Sequence, residues 1–386
     1  MNILFHSWAF PPNGGGVGVY ISHMAEALSH NGHRVFIVTG SARGRAAEEK
    51  RGNVTIFRRY DRADIGRPWV CEEVLNLCEK FSVDIIEGQD YLGDCQALLK
   101  KKSRPPVVIK VHSCNALKVL YVSQILYWWQ RVMIRAALLR QHATTRRERY
   151  CIEHADMLLA PSKRIFDEME KQGLKLPEKR SVVPNPIGLN RISFDREAPV
   201  PTVLFVGRKD FGKGIQYLPG IVRALAAHFP DFLMQIVGPD SYARGVGSLQ
   251  GWLEKKMGTL INNVRFHGSI PGHQLVKFYQ RAWVVILPSR WDTFPTVLLE
   301  AMSWGKPVVA SPHGGMPEML TGTLCRTAPP DSEKFITLIR NFLESKRLRK
   351  IAGCSLYAKA WRAYRAELVA KCYLDATGRL SRHFTH

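Results

Sequence analysis

Short apolar runs alternate with stretches of helical period along the whole chain, and this alternation limits the possible folds more than any other feature. In the first half the runs are Ile3–Phe5, Arg34–Thr39, Val54–Phe57, Asp84–Ile86, Val107–Val111 and Met157–Ala160. In the second half they are Thr202–Val206, Phe232–Val237, Val264–Phe266, Val284–Leu287 and Pro307–Ala310. Such runs read as strands buried on both faces, and strands separated by helices predict doubly wound parallel sheets. Between the two series lies the segment Pro184–Pro201, whose prolines at 184, 186, 199 and 201 fit neither a helix interior nor a central strand. A chain of 386 residues exceeds one ordinary domain. The expected fold is therefore α/β with a first domain over 1–188 and a second over 189–360. A C-terminal helix over 361–386 is expected to cross back to the first domain. From Lys346 to Asp375 the chain is basic and helical in pattern, with Leu356, Trp361, Tyr364 and Leu368 spaced for one buried face.

Charge and cysteine usage narrow the class. There are 55 Lys and Arg against 33 Asp and Glu, a net charge of +22 that points to anionic partners. The eight cysteines are scattered without a C-x-x-C pair, which suits reduced thiols in a cytosolic compartment better than zinc or a disulfide framework. The N-terminus reads directly as a strand, without the basic and apolar regions of a secretory signal, and no uncharged apolar run reaches bilayer-spanning length. An integral membrane protein is not expected.

Ligands of open α/β sheets bind beyond the carboxyl ends of the strands, so the segments that follow the apolar runs are the candidates for chemistry. After the first run comes Phe10–Gly18, rich in glycine and entering a helical pattern; Gly15 and Gly16 would let backbone N–H groups approach an anion. A tight strand-to-helix turn is the plainer alternative. Phe205–Gly214 follows another run and holds Arg208, with its planar fork of donors, and Lys213, a compact point charge; together they suit a diphosphate. Asp292 and Glu300 stand eight positions apart across a loop and a helical pattern, and Asp292 as a helix cap is the local alternative. The backbone N–H groups of Phe294 and Thr296 could contact sugar hydroxyls or phosphate, whereas Pro295 has none to offer. His112 ends the run Val107–Val111, and Gly314, Gly315 and Glu318 form a turn after the last. Either feature also admits a purely architectural reading. No Asp-x-Asp occurs in the chain.

The order and content of these segments resemble glycosyltransferase family 4 (group 1), retaining enzymes of GT-B architecture that use nucleotide sugars. Phe205–Gly214 resembles the family's G-R-x-x-x-x-K-G pattern, and Asp292 with Glu300 its E-x7-E motif. Glu153–Ser162 resembles the A-D-x-x-x-x-x-S strand, and Val182–Gly188 the V-x-P-N-G-I-D segment. The likeness covers nearly the whole chain and is more specific in the second half. It implies two Rossmann-like domains facing across a cleft, with the donor on the second and the acceptor on the first. Arg208 and Lys213 would hold the leaving diphosphate, Glu300 the ribose, and Asp292 and His112 the sugar. Gly15, Gly16, Phe294, Thr296, Gly314 and Gly315 would complete the donor site. This chain departs from the pattern with Asp at 292 in place of Glu, and with Pro186 and Gly188 in place of Gly and Asp. Without Asp-x-Asp, the expected design uses cationic side chains in place of a metal, and no other cofactor.

The segment 120–149 is amphipathic at helical period, with Gln124, Arg131 and Arg135 on one stripe and Ile125, Trp129, Val132 and Met133 opposite. Basic and aromatic residues in that pattern suit an anionic membrane surface, which would bring a cytoplasmic enzyme to a lipid-linked acceptor. Packing of the same face on the first domain is the alternative. A nucleotide-sugar epimerase would share the fold. Nucleic-acid binding would account for the charge but lacks a recognition-helix, zinc or RNP-type signature. The nucleobase, sugar, acceptor and pathway are not legible in the residues; polysaccharide assembly is a setting that the family suggests.

Overall fold

The computed structural model describes residues 1–12, 15–112 and 144–381, and the chain divides into two compact units. The first comprises Met1–Pro186 with Tyr364–His386, and the second Ile187–Ala363. The break at 186/187 falls inside the proline-rich segment, which between 183 and 201 forms no helix or strand beyond one isolated bridge.

The first unit holds β1 (Asn2–His6), β2 (Arg34–Gly40), β3 (Glu48–Arg51), β4 (Val54–Tyr60), β5 (Ile85–Gln89), β6 (Val107–Lys110), β7 (Met157–Ala160) and β8 (Arg180–Val182). They form one sheet in the order β3-β4-β2-β1-β5-β6-β7-β8, parallel throughout except for β3 against β4. The helix Gly16–His30 turns Tyr20, Ile21, Met24, Ala25 and Leu28 inward onto Ile3, Phe5, Val35 and Ile37. That spacing is the apolar stripe of a helix lying on a sheet. The helix Ala366–Ser381 adds Val369, Ala370 and Tyr373 to the same core. Full burial of a Leu or Ile side chain contributes roughly 1.5–3 kcal/mol over its exposed state, so this shared cluster anchors both helices.

The second unit holds β9 (Thr202–Val206), β10 (Leu233–Val237), a short hairpin of β11 (Tyr242–Ala243) and β12 (Gly247–Ser248), β13 (Val264–His267), β14 (Val284–Leu287), β15 (Val308–Ala310) and β16 (Arg326–Thr327). Apart from the hairpin they form a sheet ordered β13-β10-β9-β14-β15-β16, with every pair parallel. Numbered along the chain this is the 3-2-1-4-5-6 order of dinucleotide-binding folds, with its switch point between β9 and β14. The first sheet has the corresponding reversal between β1 and β5. Helix termini follow local chemistry. Ser332 caps the helix Glu333–Glu344 by accepting from the Phe335 N–H at 3.3 Å, and that helix buries Phe335, Ile339, Phe342 and Leu343.

Every apolar run read as a strand contributes to one. Five further strands in the sheets and hairpin (β3, β8, β11, β12 and β16) had no apolar signal. β3 is Glu-Glu-Lys-Arg, a charged edge strand recruited by β4, and charge on an edge discourages further pairing. One packing expectation is corrected. Leu356 and Tyr364 are buried, but Trp361 is 52% exposed. The helix Lys346–Ala363 ends before Tyr364, so the four positions do not share one helix. Within it Trp361 lies about 140° around the axis from Leu356. No helix among the described residues is long and apolar enough to cross a membrane. The segment 120–149 lies outside the described residues up to 143; the chain is helical over 144–153.

Candidate functional site

In the second unit the loops leaving β9 and β14 meet at the switch point. The Arg290 N–H donates to the Gly212 carbonyl at 2.9 Å, joining the 207–214 loop to the 288–295 loop. This contact requires glycine at 214: φ is +82°, and a Cβ would stand 2.0 Å from the Pro288 carbonyl oxygen. Asp210 caps the short turn Phe211–Lys213 by accepting from the Lys213 N–H at 2.9 Å, and its other oxygen lies 3.1 Å from Arg208 Nη2. The turn carries the Lys213 side chain across to β14, where Nζ reaches Asp292 Oδ2 at 2.5 Å. Asp292 therefore does not cap the following helix, whose N-cap is Pro295 without a side-chain bond.

The third loop at this edge follows β15. The Gly315 N–H donates to the Asp292 carbonyl at 3.0 Å. Gly314 has φ +61° and approaches so closely that a Cβ would stand 1.9 Å from the same carbonyl oxygen. The glycine pair thus locks the backbone that presents Asp292. Thr296 opens the helix Thr296–Ser303, Phe294 is buried before it, and Glu300 lies one turn further on. Glu300 Oε2 accepts from the hydroxyl of Tyr279, a fully covered residue of the helix Gly272–Arg281, at 2.5 Å. Burial raises the Glu300 carboxyl above its ordinary value, and the Tyr279 bond opposes that rise. Burial and the nearby carboxylate push the Tyr279 hydroxyl upward, which keeps it a donor.

In the first unit, Gly15 and Gly16 form the start of the helix Gly16–His30 at the carboxyl edge of β1. His112 follows β6; its N–H donates to Asp90 Oδ1 at 2.8 Å, and its ring stands edge-on to Tyr20 at 4.7 Å between centroids. Nε2 of His112 is buried without a hydrogen-bond partner. Burial, then the Lys110 charge, hold this imidazole well below its usual value, so it is neutral.

Sequence reasoning thus located Lys213, Asp292, Glu300 and the glycine pair, which the fold brings to one edge of one sheet. Arg208 shares their loop but is more than half exposed and turned to Asp210. His112, Gly15 and Gly16 belong to the other unit. Several supporting residues escaped notice. Tyr279 is one apolar position of an ordinary helical pattern, and nothing in the sequence links it to Glu300. Lys209, next to Arg208 in the chain, is buried and donates to the carbonyls of Gly238 (2.5 Å) and His267 (3.0 Å), tying together the ends of β9, β10 and β13. In the first unit Glu87 accepts from Tyr20 and Gln89, while Lys110 donates to the Val183 carbonyl. Burial raises the carboxyl of Glu87 and lowers the amine of Lys110, each opposed by the other's charge. A lysine inside the apolar run Val107–Val111 was the one legible sign of this network. Among the described residues no group of three His, Cys, Asp or Glu side chains is placed to hold a metal ion.

Comparison with known proteins identifies the family and the fold. The profile of the family "Glycosyltransferase Family 4" matches residues 14–191, and that of "Glycosyl transferases group 1" matches 190–358. A glycogen synthase of Mycobacterium tuberculosis is 25% identical over 381 residues, covering 89% of this chain and 86% of its own. An uncharacterized glycosyltransferase of Methanocaldococcus jannaschii is 27% identical over 361 residues, covering 83% of each chain. Among solved structures, sucrose-phosphate synthase from Thermosynechococcus elongatus superposes with a TM-score of 0.78 at 21% identity, covering 99% of this chain and 98% of its own. The Anabaena protein HepE, solved with UDP and glucose, gives 0.69 at 16% identity, covering 98% of this chain and all of its own. At such identities the structural likeness establishes a shared fold, that of the GT-B glycosyltransferases. With the two family profiles running almost end to end along the chain, the protein belongs to the group 1 glycosyltransferases of family 4 and is an enzyme that acts on nucleotide sugars.

Proposed function

We propose that the enzyme transfers a sugar from a nucleoside-diphosphate sugar to a glycan or lipid-linked acceptor with retention of anomeric configuration and without a divalent metal. The observation that carries this reading is the Lys213–Asp292 contact at the switch point, in the loop that leads into the helix carrying Glu300. Lys213 and Arg208 would neutralise the departing diphosphate, a role that preorganised cations can perform in place of a metal. Glu300, held through one oxygen by Tyr279, would accept from the ribose hydroxyls through the other. Asp292 would grip the sugar and support the positive charge that develops on its ring. As the resemblance to the family implies, neutral His112 of the first unit would contact the sugar and the Gly15–Gly16 helix start the diphosphate. The acceptor hydroxyl would attack on the face the diphosphate leaves, passing its proton to a diphosphate oxygen. Seven described cysteines are free thiols, most of them buried, which supports work in a reducing, cytoplasmic setting. Docking of 120–149 on the cytoplasmic membrane face would bring a lipid-linked acceptor within reach.

Thermal unfolding with UDP, GDP and ADP identifies the nucleotide, because a bound ligand raises stability by mass action. Turnover of the matching donor is then followed by NMR of the product anomer, with and without EDTA. An inverted product, or activity abolished by EDTA and restored by Mg²⁺, overturns the corresponding part. Conversion of the donor with no acceptor present would reassign the enzyme to epimerase-type chemistry.

A further inference from the structure

The second unit has one long helix, Lys346–Ala363, that the donor site does not use. Its inward face is Arg349, Ala352, Gly353, Leu356 and Ala360, all buried. The opposite face is Arg347, Lys350, Ile351, Cys354, Trp361 and Arg362, and all six are exposed. At 100° per residue they occupy a stripe about 120° wide that runs about 22 Å along the axis. Ile351 is 47% exposed and Trp361 52%. Leu324, 43% exposed, is held beside the stripe by its N–H donating to Ser355 Oγ at 3.2 Å. The helix contains no acidic residue, and among the described residues no ion pair engages Arg347, Lys350 or Arg362.

A hollow of about 600 Å³ opens beside Lys350. Arg191, Arg196, Phe194 and Trp304 line it, with Asp195 its one carboxylate. Gln280 and Trp304, both in its wall, lie four residues before the first residues of β14 and β15, at the ends of the helices that lead into them, so the hollow lies at the amino edge of the sheet. Lys213 and Asp292 occupy the carboxyl edge. The two features are therefore at opposite ends of the same unit.

Cations alone would suit any polyanion. The exposed Ile351, Leu324 and Trp361 among them are of no use to a phosphate backbone, whereas a bilayer interface uses both kinds of side chain. Lys and Arg meet headgroup phosphates, aliphatic side chains enter the acyl boundary, and tryptophan favours the level between them. We propose that this face of the second unit docks on an anionic phospholipid bilayer, with a lipid phosphate seated in the hollow lined by Arg191, Arg196 and Lys350. The surface is separate from the 120–149 segment and does not depend on the assignment of the donor site.

The full chain is sedimented with vesicles of phosphatidylcholine, alone or mixed with phosphatidylglycerol. Binding is expected only to the mixed vesicles and should weaken as salt is added. Two double variants, Ile351→Glu with Trp361→Glu and Arg347→Glu with Lys350→Glu, should each lower partitioning about tenfold or more. All four positions face solvent, so unfolding temperature and nucleotide affinity serve as controls and should match the parent. Equal partitioning of parent and variants overturns the proposal, as does equal binding to neutral vesicles or a parent that stays in the supernatant. Retardation of duplex DNA that both variants lose, without vesicle binding, would assign the face to nucleic acid and also overturn it.

Discussion

Lys213 Nζ and Asp292 Oδ2 lie 2.5 Å apart although 79 residues separate them in the chain. The lysine ends a turn after β9, and the aspartate lies within the loop after β14. The contact exists because those strands are neighbours in the sheet despite the intervening crossovers. A cation and an acid on neighbouring loops therefore hold each other in place.

Lys213→Ala should separate catalysis from stability. The pair is partly exposed, so its loss should cost under about 1 kcal/mol of folding free energy. Removing a cation aimed at a developing diphosphate should lower kcat by about 10²–10³. Steady-state kinetics beside a urea unfolding curve checks this, and Lys213→Arg should fall between the two. Near-parental kcat in the alanine variant would remove Lys213 from the mechanism.

Glu300 should make donor binding sensitive to acid sooner than an ordinary carboxylate would. Its pKa is raised by burial, so the charged form is lost at a higher pH as the solution is acidified. The Tyr279 bond lowers that pKa, and Tyr279→Phe should move the decline in donor affinity to still higher pH. Donor KM or nucleotide Kd across pH tests this. A uniform loss of affinity with no movement of the profile would mean that Tyr279 acts only through packing.

The same burial has a cost for folding. A carboxyl with a raised folded-state pKa favours the folded form below its unfolded pKa, and that benefit disappears as pH rises through the folded value. Glu300→Gln should therefore melt higher than the parent at pH 8, with the gap narrowing toward pH 4, while binding donor poorly. Differential scanning calorimetry over that range is the measurement.

His112 titrates in the opposite sense. Burial lowers its folded pKa, so the unfolded chain takes up the proton first, below about pH 6.5. Stability should fall as pH drops through that point, by up to about 1.4 kcal/mol per unit, and His112→Gln should flatten the slope. Urea midpoints between pH 7 and 5 decide it.

Glycine replacements should discriminate by backbone geometry. Gly314→Ala introduces a Cβ 1.9 Å from the Asp292 carbonyl oxygen at φ +61°, and should cost at least roughly 1–3 kcal/mol together with most activity. Gly220→Ala, in the helix Leu218–Ala226 with nothing within 4 Å of the new Cβ, should stabilise by roughly 0.5–1 kcal/mol. Thermal melts of the two variants give the comparison.

Read as a one-dimensional string, the chain already determines its α/β class, its division near the prolines and the glycine-bearing loops that follow its strands. Strands buried on both faces need unbroken apolar runs and tight turns need glycine; both are local demands. Tertiary structure alone decided that Asp292 would pair with Lys213 and not cap its helix, that Tyr279 would hold Glu300, and that Lys209 would be buried between three strand ends. It also turned Trp361 outward and recruited the charged β3 to an edge. Each of these depends on which strands become neighbours and where each helix ends. Neighbours are chosen by the packing of the whole sheet, and no run of adjacent residues encodes that choice.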